Sequence, residues 1–473
     1  MNFNTALFLF LFLPFFLLFY FFAQPRWRPV VGILASVLFY AWGNALNLIV
    51  ILCLMAVTYG FGLLLSAKPS KWILFAGLLV NLGTLIAFKW LVSYGGNLLP
   101  HLIERLPERV GGYLDPFTFP LGLSYISFQL ISYLLDVNKG TVKAEKKLIS
   151  FAFYVLLFPK LLVGPIVRYR TLAQELPAPT LDPNQVADGV RRFLGGFAKK
   201  ILIADTLSKV VDTVFGLPIG ATTPLVGWLA LTGYALQIYY DFSGYTDMAI
   251  GLAAMMGLRF SENFNAPYTA QSIGDFWRRW HISLSTWFRD YVFFPLERWR
   301  IPVIGQSLNV LIVFLLTGLW HGFAIEFALW GLIHGFFIVI ENLFLNRWLK
   351  HSLFRPIRHV YALAVVLFAW LIFRSPDLDY ARNFLLFLFS NSGQTMQLSF
   401  SATSPLPFIE PSFLLAFAAG VLFCLPIGVV VKPYVDKSLP LKIATDLLLL
   451  VLFIISVGVM TNSQFLPGIY QSF

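Results

Sequence analysis

The chain has 473 residues, of which 58% are hydrophobic and only 12% charged, where a soluble globular chain is nearer a quarter charged. That deficit, with repeated apolar runs of roughly 20 residues, excludes a soluble enzyme and reads as an all-α polytopic membrane protein. The formal net charge of +11 fits the enrichment of Lys and Arg in cytoplasmic loops, or else a basic surface that meets an anionic substrate or partner.

The N-terminal run 7–22 has no basic residue before it, so it reads as a retained first span rather than a cleaved signal. Spans are expected at 6–23, 29–43, 47–66 and 72–91. Arg26 and Arg28 follow the first, and Lys68 and Lys71 the third, which places the N-terminus outside the cytoplasm. Residues 92–116 form a polar connection, and 117–136 are apolar again, leading to Lys139, Lys143, Lys146 and Lys147. The segment 148–166 holds Pro159, Lys160, Gly164 and Pro165 and is basic on both flanks. It is expected to be broken or re-entrant, because proline removes a backbone donor and kinks a helix.

Residues 171–190 read as a Pro- and Asp-rich loop. The stretch 190–207 carries Arg191, Arg192, Lys199 and Lys200 and reads as a helix at the cytoplasmic face. A span at 222–241 ends in DFSGYTD (241–247), where two acids bracketing a glycine suggest a helix break. A turn at 263–268 follows, then a charged stretch from Gly274 to Arg300. Further spans are expected near 303–320, 323–344, 358–373, 411–431 and 442–461, making about ten or eleven. A basic segment runs from Arg347 to Arg358, and 391–410 are rich in Ser, Thr and Pro. Cys53 and Cys424 lie in apolar runs and read as packing residues.

Titratable side chains at membrane depth are costly and mark function by default. Of the six histidines, His101 lies in a polar loop, and His351 and His359 lie in the basic segment. His321 stands between apolar spans in Gly318-Leu-Trp320-His321-Gly322. Imidazole is the side chain best suited to take a proton near neutral pH, although a buried, hydrogen-bonded histidine would look the same in sequence. His334, 13 positions on, would lie about 20 Å away along a continuous helix. His281 follows Trp277-Arg278-Arg279-Trp280. On a helix Asp275 would pair with Arg278 or Arg279, at i+3 and i+4, and Trp277 and Ser285 would share the face of His281. That helix is either an interfacial belt with internal ion pairs or the charged lip of a substrate passage. No HExxH, GxSxG, P-loop, dinucleotide fingerprint or Cys/His cluster is present, so no metal site is expected.

Six pieces occur in one order: FPLGLSYISFQ (119–129), FPKLLVGPIVRY (158–169), DFSGYTDMAIG (241–251), FNAPY (264–268), FWRRWHISLSTWFRDY (276–291) and LWHG (319–322). Together they resemble the membrane-bound O-acyltransferase (MBOAT) family, specifically its alginate O-acetyltransferase type of membrane subunit. The resemblance implies one membrane-embedded domain over 1–473, with N-terminal spans 1–116, a catalytic core 117–345 and C-terminal spans 346–473. It implies a ring of tilted helices around a thin centre, with re-entrant and interfacial helices. His321 matches the histidine of the family's Trp-His-Gly motif, where passages from the two membrane faces meet, and His281 matches the family's second histidine. The first hundred residues and those after 345 match in hydrophobic pattern only.

The activity so implied is transfer of an acyl group, expected to be acetyl, from a cytoplasmic thioester to a hydroxyl on an exported glycan or a relay protein. Acetyl-CoA or another acyl thioester would be a co-substrate, with no bound cofactor, and the setting a bacterial cytoplasmic (inner) membrane. Arg278, Arg279, Asp290, Trp320, Lys199 and Lys200 are the expected passage residues, the four basic ones as contacts for the donor's phosphates. Rival readings are D-alanyl transfer to teichoic acid from a carrier-protein thioester, and a transporter using the same buried polar groups.

Overall fold

Helices make up the regular structure of the described residues, with no strand among them. The structure is a computed structural model and describes residues 1–43, 45–94, 119–299, 302, 304–345, 355–390 and 409–462. The expectations for 95–118, 346–354, 391–408 and the C-terminal tail lie outside these residues, as do His101 and His351. Two compact units emerge, one of residues 1–190 with 249–261, the other of 191–248 with 262–472.

In the first unit, α1 (Phe8–Phe22) and α2 (Arg28–Ala41) are followed by α3 (Ala45–Ala67), α4 (Lys71–Tyr94) and α5 (Leu123–Asn138). The 14 residues of α2 extend about 21 Å, short of a hydrocarbon core of roughly 30 Å, whereas α3 and α4 are long enough to cross one. Where α3 meets α4, Asn81 Nδ2 donates to Thr58 Oγ1 at 3.0 Å, a buried polar tie between two apolar helices. Cys53 on α3 is exposed rather than packed, whereas Cys424 is buried.

The segment expected to break does so. Helix α6 (Leu148–Leu156) stops before Pro159, a single 3₁₀ turn covers Phe158–Lys160, and the chain then runs without regular structure to Arg168, buried throughout. The ring of Phe158 sits among Phe3, Phe8, Phe12, Phe16 and Phe39, and Ser36 Oγ accepts from the Phe158 amide at 3.0 Å. Irregular backbone is tolerated at membrane depth only under such protein cover.

Helix α7 (Pro183–Ala198) begins inside the stretch expected as loop. It continues through a π-helical turn (Lys199–Ala204) into α8 (Asp205–Gly216). The break expected at 241–247 is absent, and α9 runs from Pro224 to Met255. In the second unit the reason is visible. A Cβ at Gly244 would lie 2.7 Å from the carbonyl oxygen of Gly196, so the glycine serves close helix approach. The two aspartates are neutralised from the side, as described below.

After α9 come α10 (Ile273–Arg279), α11 (Ile282–Phe288), α12 (Gly305–His321), α13 (Ile325–Ile340), α14 (Arg355–Arg374) and α15 (Leu378–Leu388). The span expected at 411–431 is two helices, α16 (Pro411–Phe423) and α17 (Ile427–Lys437), bent by 78° at the break that holds Pro426. Helix α18 (Leu439–Asn462) closes the described chain. Among the described residues, five helices are long and apolar enough to cross a membrane, six if the bent pair is one span. Four further apolar stretches, α1, α2, Leu148–Lys160 and α12, are shorter.

Candidate functional site

Every sequence-derived candidate falls in the second unit. Helix α10 is capped by Ser272, whose Oγ accepts from the Asp275 amide at 3.0 Å. The carboxylate of Glu341 also reaches its first turn, accepting from the amides of Ile273 at 2.5 Å and Gly274 at 3.0 Å. Asp275 pairs with Arg278 at 3.3 Å and Arg279 at 3.0 Å, at the i+3 and i+4 spacings.

The helix does not continue through His281, so Trp277 and Ser285 do not share its face by helical spacing. Trp280 is extended and His281 adopts φ 43°, a left-handed conformation rare outside glycine, before α11 restarts the helix. Asn263 holds this break. Its backbone oxygen accepts from the Ile282 amide at 2.9 Å. Its Oδ1 accepts from the amide and hydroxyl of Ser283 at 3.1 and 2.8 Å and faces His281 Nδ1 at 3.2 Å. An atom that takes a backbone N–H must be the amide oxygen. Nδ1 therefore carries the proton, and Nε2 the lone pair. His281 is 1% exposed, and burial pushes its pKa down to about 3, which keeps the ring neutral at physiological pH.

His321 is the last residue of α12 and is 4% exposed. Helix α13 folds back along α12 with backbones in contact. A Cβ at Gly318 would lie 2.1 Å from Phe327 O, and one at Gly331 would lie 2.2 Å from Phe314 O. Only glycine permits that approach. It puts the His321 ring inside a set of aromatic rings, Trp320 at 4.7 Å, Trp330 at 5.1 Å, Phe373 at 5.1 Å and Phe327 at 6.4 Å between centroids. Trp320 also lies 6.2 Å from His281, so the two candidate histidines meet the same indole. His334 is nearer than a continuous helix allows. Its ring touches the other side of this cluster at Trp330 (5.2 Å) and Trp277 (5.3 Å). The helix breaks after His321, and α13 returns.

A cavity of about 640 Å³ opens beside these elements, lined by Trp277, Arg278, Ser285, Arg289, Phe314 and Thr317 among others. Neither His281 nor His321 lines it. Arg278 is the most exposed of the basic candidates, at 71% for its side chain. Asp290 pairs with Arg289 at 2.8 Å.

Lys199 and Lys200 are committed elsewhere. Lys199 pairs with Asp247 at 2.6 Å, and Arg192 joins the same carboxylate at 2.8 Å. Lys200, 3% exposed at its side chain, is held by Asp205 at 2.5 Å and Asp241 at 2.6 Å. A buried ammonium paired with two carboxylates is already charge-compensated, so its geometry is that of a helix tie. Asn263, Trp330, Arg289 and Glu341 were not singled out in sequence. Asn263 lay in a recognised turn, but nothing local marked its partner 18 residues away. His359, in the basic segment, has its Nδ1 3.1 Å from Ala270 O. Among the described residues no group of His, Cys, Asp and Glu is arranged to hold a metal ion.

A sequence model of the membrane-bound O-acyltransferase family matches residues 145–378, which include both histidines. The chain is 38% identical to the probable alginate O-acetylase AlgI of Azotobacter vinelandii, over 84% of this chain and 79% of that protein. It is 29% identical to the peptidoglycan O-acetyltransferase of Helicobacter pylori, over 80% and 78% of the two chains. It is 32% identical to the teichoic acid D-alanyltransferase of Bacillus subtilis, over 50% of this chain and 62% of the other.

Proposed function

Because the chain belongs to the membrane-bound O-acyltransferase family and is a multi-pass membrane O-acyltransferase, we propose that its reaction is acetyl transfer in a bacterial cytoplasmic membrane. The donor is a cytoplasmic thioester, acetyl-CoA. The acceptor is a hydroxyl of an extracytoplasmic polysaccharide, or of a protein that relays the group. The names of the relatives that match over most of both chains, an alginate O-acetylase and a peptidoglycan O-acetyltransferase, support acetyl over other acyl groups.

The observation that carries the chemistry is the pair of buried histidines meeting at Trp320. His321 takes the proton of the acceptor hydroxyl as that oxygen bonds to the thioester carbonyl carbon. The C–S bond then breaks, and the imidazolium returns its proton to the departing thiolate. The aromatic rings around His321 exclude water, which would otherwise compete as acceptor. His281, neutral and with Nδ1–H held by Asn263, offers its Nε2 lone pair to orient the acceptor hydroxyl. Arg278, exposed at the cavity, is the basic residue best placed to meet a donor phosphate. Asp290 anchors Arg289 at the same lip.

The test is His321→Ala, purified folded and given labelled acetyl-CoA with native envelope acceptor. Removing a general base should cost about 10²–10⁴-fold in turnover. Near-wild-type turnover would overturn the assignment. D-alanyl transfer keeps one argument, the similarity to the teichoic acid enzyme over half the chain. A D-alanyl carrier-protein thioester that replaced acetyl-CoA as donor would establish it instead.

A further inference from the structure

The first unit contains a buried lysine that acyl transfer does not use. Lys160 lies in the irregular segment after α6 and is 0% exposed. Its ammonium donates to Gln129 Oε1 on α5, and its Nζ stands 4.5 Å from the ring centroid of Tyr154. Among the described residues no carboxylate pairs with it. The contrast with Lys200 is direct, since that buried lysine has two carboxylates on it.

Both contacts of Lys160 favour the charged form over the free amine. An amide oxygen accepts from an ammonium, and the face of an aromatic ring attracts a cation. The phenol of Tyr154 does not compete for a ligand, because it donates to Val167 O at 2.9 Å. Neither contact carries a charge, so an ammonium here is solvated in part and needs an anion to compensate it.

The neighbouring amide is also half used. With Oε1 spent on Lys160, Gln129 keeps Nε2, a donor that is buried and has no partner among the described residues. Lys160 keeps further N–H bonds of its own. One hydrogen-bonded pair therefore presents two adjacent donors, one of them charged. We propose that Lys160 and Gln129 form a binding site for a small monovalent anion, of halide or simple carboxylate size. A single charge matches a monovalent ion rather than a phosphate, which carries up to two, and the segment 157–168, buried along its whole length, leaves no open surface for a nucleotide.

The site does not depend on the acyl-transfer reading, and its test does not measure acyl transfer. Full-length protein in detergent is exchanged into gluconate at fixed ionic strength, and chloride, bromide or acetate is titrated in gluconate's place. The thermal unfolding midpoint is the readout. It should rise saturably with the anion in the wild type and stay flat in Lys160→Met, while the surface control Lys143→Met behaves as wild type. Gln129→Leu keeps the charge and loses the amide, so its apparent anion affinity should fall at least tenfold. This variant decides the matter if Lys160→Met does not fold. A halide response without an acetate response would identify a halide site, and the reverse a carboxylate site. A wild type that is indifferent to all three anions, or an undiminished response in Gln129→Leu, would overturn the proposal, and the lysine would then be buried as the neutral amine.

Discussion

Asn263→Ala removes the oxygen around which the His281 break is built, and its cost can be worked donor by donor. Three donors converge on Oδ1, from His281 Nδ1, Ser283 N and Ser283 Oγ. They are not equally stranded by its loss. The Ser283 hydroxyl can rotate, and the imidazole can move its proton to the other nitrogen. The Ser283 amide can do neither, being a first-turn donor of α11 with no partner inside its own helix. One buried orphan donor costs about 1–3 kcal/mol. The left-handed conformation of His281 is present in the wild type as well and does not enter the difference. The expected loss is therefore about 2 kcal/mol, less than the roughly 3–9 kcal/mol that three stranded donors would cost. The effect on catalysis should be larger than that on folding. With the tautomer released, Nε2 no longer holds the lone pair at all times, and kcat should drop by about 10–100-fold with little change in KM. Asn263→Asp supplies the same acceptor with a charge. It should fold, and it should raise the His281 pKa from about 3 towards neutrality, bringing a new acid limb into the pH–rate profile. Unfolding midpoints and turnover between pH 5 and 9 for both variants decide the case. A less stable Asn263→Ala with wild-type kcat, together with an unchanged pH profile in Asn263→Asp, would refute the tautomer argument and leave Asn263 a purely structural residue.

The remaining predictions address the other parts of the site. Burial of neutral His281 makes the unfolded chain bind its proton below about pH 6.5 while the folded one does not until about pH 3. Stability should thus fall with decreasing pH across that window, by up to ~1.4 kcal/mol per pH unit, and His281→Gln should show a shallower slope by urea unfolding. Gly331→Val drives a side chain into the carbonyl of Phe314, so both turnover and the unfolding midpoint should fall, and a variant normal in both would contradict the α12–α13 contact. Lys200→Met strands Asp205 and Asp241, with an expected loss of about 3–5 kcal/mol, seen by thermal unfolding. A raised KM for the donor at unchanged stability would instead return Lys200 to the substrate passage. Arg278→Ala should do the opposite, leaving stability within about 0.5 kcal/mol while raising the donor KM in initial-rate measurements.

The parts of the fold that were legible in sequence are those governed by a one-dimensional rule. A helix in lipid satisfies its own backbone, so an uninterrupted apolar run is enough to announce it. The spans expected at 47–66 and 72–91 emerge as Ala45–Ala67 and Lys71–Tyr94. Proline placed the end of α6 correctly for the same local reason. Errors arise where a distant partner overrules the local signal. Two acids around a glycine at 241–247 looked like a break because charge in an apolar run is costly. Lys199, Lys200 and Arg192 remove that cost from another helix, and α9 stays whole. No spacing rule could pair Lys199 or Arg192 with Asp247, 48 and 55 residues away. The bend between α16 and α17 was missed although Pro426 stands at the break, the same local signal that ends α6.

The candidate site divides in the same way. Asp275, Arg278 and Arg279 could be paired from i+3 and i+4 spacing alone, and the structure has both contacts. His281 could not be placed, since its positive φ is imposed by Asn263 and not by its own side chain. His321 was visible as a lone titratable group between apolar runs, but its surroundings were not. Its indole and phenyl neighbours come from Trp320 beside it, from Phe327 and Trp330 on the returning helix, and from Phe373 on α14. What brings them together is backbone contact at Gly318 and Gly331. Gly318 and Gly322 flank the Trp-His pair in sequence, but their spacing alone names no partner for a close approach. The same return of the chain sets His334 against Trp330, where continuous-helix arithmetic had put it out of reach. The glycines of this hairpin thus do more for the environment of His321 than any charged residue near it in sequence, because they decide which rings can touch it and how little water can.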